Sequence, residues 1–208
     1  MAVAPRHLKV TKEQYFEEAL DCLAQRGADG MAVGSLCSSL GVTTGSFYHY
    51  FGGWSGFVDA LLAHWESSQT HRIGARMADE ATPGRRLELL QKEVLRLPHE
   101  AEAAIRAWGR SEDKVRLALE RVDAQRISVV HGIAVDLGVP DRNAKKLASM
   151  ALALLIGVQQ MRTPVDGRLL RSLLNEHART LNSYTRPTAE PTNRFSSRSP
   201  AKSPNAPS

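Results

Sequence analysis

Apolar positions recur at helical spacing along almost the whole of this 208-residue chain. Tyr15, Ala19, Cys22 and Leu23 fall at i, i+4, i+7 and i+8, one buried face of a first helix that Gly27 ends. Two short helices follow between residues 33 and 51, with Gly41 between them. A fourth is predicted from about Ser55 to about Ala81, where Thr82-Pro83-Gly84 breaks the pattern. A fifth covers about Arg86 to Leu97 and stops at Pro98; a short sixth runs to Gly109. Ser111, with Glu112 and Asp113 behind it, is a start signal for a seventh, whose stripe is Val115, Leu119, Val122, Val129, Ile133 and Leu137. Gly138-Val139-Pro140 ends it, Asp141 opens an eighth, and Thr163-Pro164 precedes a ninth over about Asp166 to Tyr184. No stretch alternates as a strand does, and no unit of 20–50 residues repeats. The predicted fold is all-α, with about nine helices.

The last two helices carry more apolar surface than one core needs. The eighth presents Leu147, Met150, Ala151, Leu154, Leu155, Val158 and Met161, apolar almost all round. The ninth presents Leu170, Leu173, Leu174, His177 and Leu181 at helical spacing. The excess predicts that Leu154, Leu155, Val158, Leu170, Leu173, Leu174, His177 and Leu181 pair with a second copy of the chain, the other option being a larger monomer core. Trp65, Trp108, His131, Met150 and Met161 are candidates for the wall of a ligand pocket. Met is adaptable and Trp offers a broad face, although the same residues also serve as plain core.

With 42% hydrophobic and 24% charged residues, the composition is that of a globular protein. The formal charge is +5, but it is not where a nucleic acid would need it. Residues 1–55 carry four basic and five acidic side chains, whereas residues 186–208 carry four basic and one acidic. The tail also holds five of the ten prolines and is rich in Ser, Thr and Asn, a composition unable to bury enough surface to offset ordering. It is predicted to be a disordered basic tail. Arg6, Lys9 and Lys12 cluster ahead of the first helix, where they can lie along a phosphate backbone.

Cys22 and Cys37 fall on core-facing positions and are expected to be reduced buried thiols rather than a disulfide or redox pair. There is no Cys-x-x-Cys and no cluster of His, so no metal or cofactor is implied. A Gly-rich phosphate loop and a Gly-x-Ser-x-Gly elbow are both missing, and Glu100 and Glu102 show no catalytic partner, which argues against an enzyme. The first 30 residues lack the apolar run of a secretory signal, and Leu147 to Val158 is too short to span a bilayer. A cytoplasmic location is the expectation.

Residues 33–51 carry the chemistry. Leu36, Leu40 and Val42 are apolar, Gly41 suits a turn at positive φ, and Thr43 suits an N-cap. Thr44, Gly45 and Ser46 then occupy a first helical turn, and Tyr48, His49 and Tyr50 can all hydrogen-bond to phosphate oxygens. Phe47 is expected to face the first helix, and Phe51 the entry to the fourth.

This string, with its Phe47-Tyr48-His49-Tyr50-Phe51-Gly52 continuation, closely resembles the helix-turn-helix of the tetracycline-repressor (TetR) family of bacterial transcriptional regulators. Glu17 to Gly27 resembles that family's first helix and Phe57 to Trp65 the start of its fourth, so the resemblance covers roughly residues 11 to 66. Two positions depart from the family. Ala32 stands where Thr or Ser caps the second helix, and Trp54 stands where a Lys often follows the Phe-Gly turn.

The resemblance implies three regions: a DNA-binding domain at 1–54, a helical ligand-binding and dimerisation domain at 55–185, and the tail 186–208. It also implies DNA contacts from Lys9, Ser35, Thr43, Thr44, Gly45, Ser46, Tyr48, His49 and Tyr50. A homodimer, a double-stranded operator and a small, apolar effector are the implied partners. The competing expectation is a helical protein-interaction module that has kept the motif and lost DNA binding. The net acidic N-terminal segment and Trp54 favour it.

Overall fold

The computed structural model describes the backbone of residues 10–78 and 80–184, with the side chains of those residues except 69–76 and 78. Lys9, Arg6 and the tail 186–208 lie outside the described residues. Nine α-helices and no strand are found among the described residues: α1 (Lys12–Arg26), α2 (Val33–Ser39), α3 (Thr44–Phe51), α4 (Trp54–Ala78), α5 (Pro83–Val94), α6 (His99–Trp108), α7 (Asp113–Asp136), α8 (Asp141–Met161) and α9 (Gly167–Ser183).

Local chemistry sets most of the helix ends. Thr11 and Gln14 form a reciprocal box at the start of α1, with the Thr11 N–H donating to Gln14 Oε1 at 2.9 Å. Asp166 Oδ1 accepts the N–H groups of Arg168 and Leu169, both at 3.0 Å, and so caps α9. The Thr82-Pro83-Gly84 break is also a start, because Pro83 occupies the first turn of α5, where its missing N–H costs nothing. Ser111 does not cap α7. Its hydroxyl turns back to the Trp108 carbonyl at 3.2 Å, and the helix begins at Asp113.

Three buried clusters hold the helices together. The first is aromatic at its centre. Tyr15 and Phe16 of α1, Phe47 and Phe51 of α3 and Phe57 of α4 meet mostly edge-on or tilted, with Phe16 stacked on Phe57 and ring centres 5.0 Å apart for Phe51–Phe57 and 5.8 Å apart for Tyr15–Phe47. The same cluster continues into Leu61 and Trp65 of α4, Ile105 of α6, and Val115, Ala118 and Val122 of α7. It therefore runs without a break past residue 54, with α1 packed on α6 and α4 on α7.

The other two clusters are aliphatic. One gathers Leu87 and Leu90 of α5, Val130, Ile133 and Ala134 of α7, Leu147 and Ala148 of α8, and Leu181 of α9. The smaller one joins Leu155 and Val158 to Leu170 and Leu174.

This packing corrects the predicted pairing surface. Leu155, Val158, Leu170, Leu174, His177 and Leu181 are buried inside a single chain. They are buried because α9 lies against α8 and α5 and spends its stripe there. Leu173 and Leu154 are half-buried. What α8 leaves exposed is another line one helical face away, with Met150 40% and Met161 69% exposed and Leu154 and Gly157 between them.

Candidate functional site

α2 ends on a tight turn that aims α3. The Val42 N–H donates to the Cys37 carbonyl at 2.9 Å and the Gly41 N–H to the Ser38 carbonyl at 3.2 Å, the paired bonds of a Schellman stop. That stop needs a residue at positive φ, and Gly41 has φ 64°. The absent cap at Ala32 is replaced from inside the helix: Ser35 Oγ accepts the Ala32 N–H at 3.1 Å and donates to the Ala32 carbonyl at 2.8 Å. Ser35 is thus committed to the start of α2 and half-buried there.

α3 divides cleanly into two faces. Phe47 and Phe51 point into the aromatic cluster, while Thr43, Thr44, Gly45, Tyr48 and His49 are exposed. Ser46 and Tyr50 lie on the border. Tyr48 is 55% exposed, yet its ring stands edge-on to Phe47 at 5.9 Å, so the ring is braced while the hydroxyl faces out. Tyr50 leans on Tyr15 at 6.0 Å.

Thr43 holds the N-cap position, but its side chain makes no cap bond. The first N–H groups of α3 therefore have no side-chain cap, at the positive end of the helix dipole, where a phosphate oxygen is a natural acceptor. At the other end, Gly52 at φ 69° stops α3, and its N–H donates to the Tyr48 carbonyl at 2.9 Å. The step into α4 is so close that a Cβ on Gly56 would lie 2.2 Å from the Phe51 carbonyl oxygen. Trp54 opens α4, partly exposed, with its ring 5.5 Å from Phe57. The Lys12 ammonium sits 5.8 Å above the Phe51 ring beside this surface.

The family described as bacterial regulatory proteins, tetR family, matches residues 16–61, which span α1 to the first part of α4. The chain carries the N-terminal domain of the tetR family over these residues. Among curated proteins no sequence match is found. Solved structures extend the likeness to the whole fold. A TetR transcriptional regulator from Legionella pneumophila superimposes with a TM-score of 0.72 at 13% identity, over 86% of this chain and 99% of that one. A TetR transcription regulator from Haloarcula marismortui gives 0.64 at 17% identity, over 84% and 95%. The transcriptional regulator FadR from Bacillus subtilis, in complex with stearoyl-CoA, gives 0.63 at 17% identity, over 84% and 99%. The TetR fold is thus present from the helix-turn-helix to α9, and members of that family are transcription regulators rather than enzymes.

The helices behind the TetR-type head line a partly open cavity of about 70 Å³ between α5, α7, α8 and α9. Its wall is aliphatic, with Leu87, Leu90, Val130, Leu152 and Leu155 among its side chains; the polar groups on it are Gln91, Gln125, Arg126 and His177. None of Trp65, Trp108, His131, Met150 and Met161 lines it. Trp65 is sealed in the first cluster and Trp108 packs on that cluster's edge. His131 Nε2 lies 2.8 Å from Asp141 Oδ1, and the two methionines face outward from α8.

A polar network borders this cavity. Arg126 pairs with both oxygens of buried Glu102, at 2.6 and 3.2 Å. Gln159 Nε2 donates to Glu102 at 2.9 Å and to His99 Nδ1 at 3.2 Å. Glu100 Oε1 accepts the Val165 N–H at 3.1 Å. The two acids that show no partner in sequence therefore both have structural ones. Burial pushes the His99 and His177 imidazoles below their usual value and keeps them neutral. Burial also pushes the Cys37 thiol up, which disfavours a reactive thiolate. Cys22 and Cys37 are both free and buried.

Sequence reasoning missed Arg126. The available signal was its position four residues after Val122 and four before Val130, where a charge interrupts a buried stripe. No group of three metal-binding side chains occurs among the described residues, and no described helix is long and apolar enough to cross a membrane.

Proposed function

We propose that the protein is a ligand-responsive transcriptional repressor that binds a pseudo-palindromic operator as a homodimer in the cytoplasm. Its DNA-binding domain would be residues 1–54 and its effector and dimer domain residues 55–185. The observation that carries this reading is α3 itself. Its back is locked by Phe47 and Phe51, and its front offers Thr44, Gly45, Tyr48 and His49 with an uncapped first turn. Such a helix enters the major groove with its first turn at the base edges and its flanks on phosphates. Lys9 and Lys12 supply sequence-independent attraction, and Ser46 and Tyr50 extend the contact at its border.

The cavity supports the effector half of the proposal. At about 70 Å³ it is smaller than the roughly 150 Å³ that holds a benzene ring, so an effector must press α5, α7, α8 and α9 apart. Pressure on α7 is felt at α4 and α6, which pack on it and carry the head. The effector then favours a state with the two reading helices wrongly spaced, by as much as its affinity for the two states differs. The exposed Met150–Leu154–Met161 line of α8 is the proposed seam with the second subunit.

Selection of bound fragments from a genomic pool tests the reading. Recovery of a two-fold-related sequence is expected, with altered base preference in Thr44→Ala or Ser46→Ala. Leu154→Glu should run as a monomer in light scattering and lose operator binding with α3 intact, because a charge without a partner is costly in an apolar seam. Failure to recover any sequence from a folded dimer would favour the interaction-module alternative.

A further inference from the structure

His177 is 4% exposed and its ring forms part of the cavity wall. Its Nε2 lies 2.9 Å from the Leu147 carbonyl oxygen. A carbonyl only accepts, so Nε2 must carry the proton, and in the neutral ring Nδ1 is then a lone-pair acceptor. Nδ1 has no hydrogen bond among the described residues, and the ring that carries it is part of the cavity wall.

The other polar groups on the wall constrain the charge of an occupant. Gln91 and Gln125 are neutral amides and set no charge preference; Gln91 Nε2 is engaged with the Leu174 carbonyl at 2.8 Å, which leaves its Oε1 as an acceptor. Arg126 is the wall's cation, and its charge is matched by Glu102, which is itself buried and held by Gln159. An anion would have to take Arg126 from Glu102 and strand a buried carboxylate; a cation would meet Arg126 with no acid on the wall to receive it.

We infer that the cavity selects an uncharged, mainly apolar molecule bearing one hydroxyl or N–H donor, and that His177 Nδ1 is the group that reads that donor. This rests on the cavity being the effector site, and it narrows the effector from apolar molecules in general to neutral amphiphiles of phenol or alcohol type. His177 thereby acts as a specificity residue: its tautomer is set by a backbone carbonyl of α8 and its position by the buried stripe of α9.

The test uses the full chain and four probes of similar size: phenol, toluene, benzoate and benzylammonium, measured by calorimetry or ligand-observed NMR at pH 7.5. Phenol should bind about 10-fold tighter than toluene, the worth of one good hydrogen bond to a buried acceptor, and both ions more weakly still. In His177→Leu the order of phenol and toluene should invert, and in His177→Gln it should be restored, since an amide can donate to Leu147 and still offer an acceptor. Toluene binding as well as phenol in the unaltered chain, or benzoate binding tightest, would overturn the inference while leaving the effector site standing. Binding of none of the four would overturn both.

Discussion

The head and the body of this molecule are packed by different materials. Around α3 the core is made of rings: Tyr15, Phe16, Phe47, Phe51 and Phe57 contact one another within about 6 Å. Around α5, α8 and α9 it is made of Leu, Val and Ala, with a void in the middle and a buried ionic network beside it. Rings with edge-to-face geometry fix one arrangement, because each contact is directional. Aliphatic contacts are not directional, so a wall of Leu, Val and Ala beside a void can repack in more than one way. On the proposed function, a reading helix must hold its side chains in register with base edges, whereas a sensing region must yield to what enters it, and the two kinds of packing suit those two tasks.

Two truncations of comparable kind separate the halves most sharply. Phe47→Ala removes a fully buried ring from the aromatic cluster and should cost about 3–5 kcal/mol in denaturant unfolding, with loss of DNA binding. Leu90→Ala trims a side chain that already borders the cavity and should cost only about 2 kcal/mol, near the lower limit for such changes. Equal losses would show that the void is better supported than its volume suggests.

A gentler change probes the surface that the aromatic cluster supports. Tyr48→Phe keeps the ring on Phe47 and deletes the exposed hydroxyl. Operator affinity should fall by about 1 kcal/mol, with the unfolding midpoint unchanged. Unaltered affinity would remove Tyr48 from the phosphate contacts and leave it as a brace only.

The smallest expected effect belongs to the body and appears as pH dependence. His99 and His177 have folded-state values lowered by burial, so the unfolded chain takes up protons more readily than the folded one. Their stabilising contribution is complete above the ordinary histidine value of 6.5 and is lost as pH falls below it toward the lowered folded values. Unfolding midpoints at pH 7.5, 6.5 and 5.5 should decline in that order, and His177→Gln should flatten part of the decline. A profile that His177→Gln leaves unchanged would assign the pH response elsewhere.

The head was far more legible in sequence than the body, because its elements announce themselves locally even though their partners lie far away. The Tyr15, Ala19, Cys22 and Leu23 stripe, the Gly41 turn and the Phe47–Phe51 face are marked by helical spacing or turn chemistry, and a wholly apolar face needs no particular partner to be recognised as buried. The body is set by partners far apart: Arg126 meets Glu102 across 24 residues, and Gln159 meets His99 across 60. No local pattern encodes such pairs.

Residue type misled where a helix was apolar all round. Met150 and Met161 suit a pocket chemically, but on α8 they face away from it, and periodicity alone does not say which apolar side meets α9. For the same reason, six of the eight proposed pairing residues proved to be internal. The Ser35 bond to Ala32 was legible only in part: sequence marked the missing cap but not its replacement.

The aromatic cluster has a consequence for modularity. It crosses residue 54 without interruption and finishes on Ile105, Val115 and Val122, so the head has no closed surface of its own toward the body. A chimera joined at that point would leave α1 facing whatever α6 and α7 the new body supplied. On the proposed function, specificities in this architecture are better exchanged by regrafting the outward residues of α3, from Thr44 to His49, than by swapping whole heads.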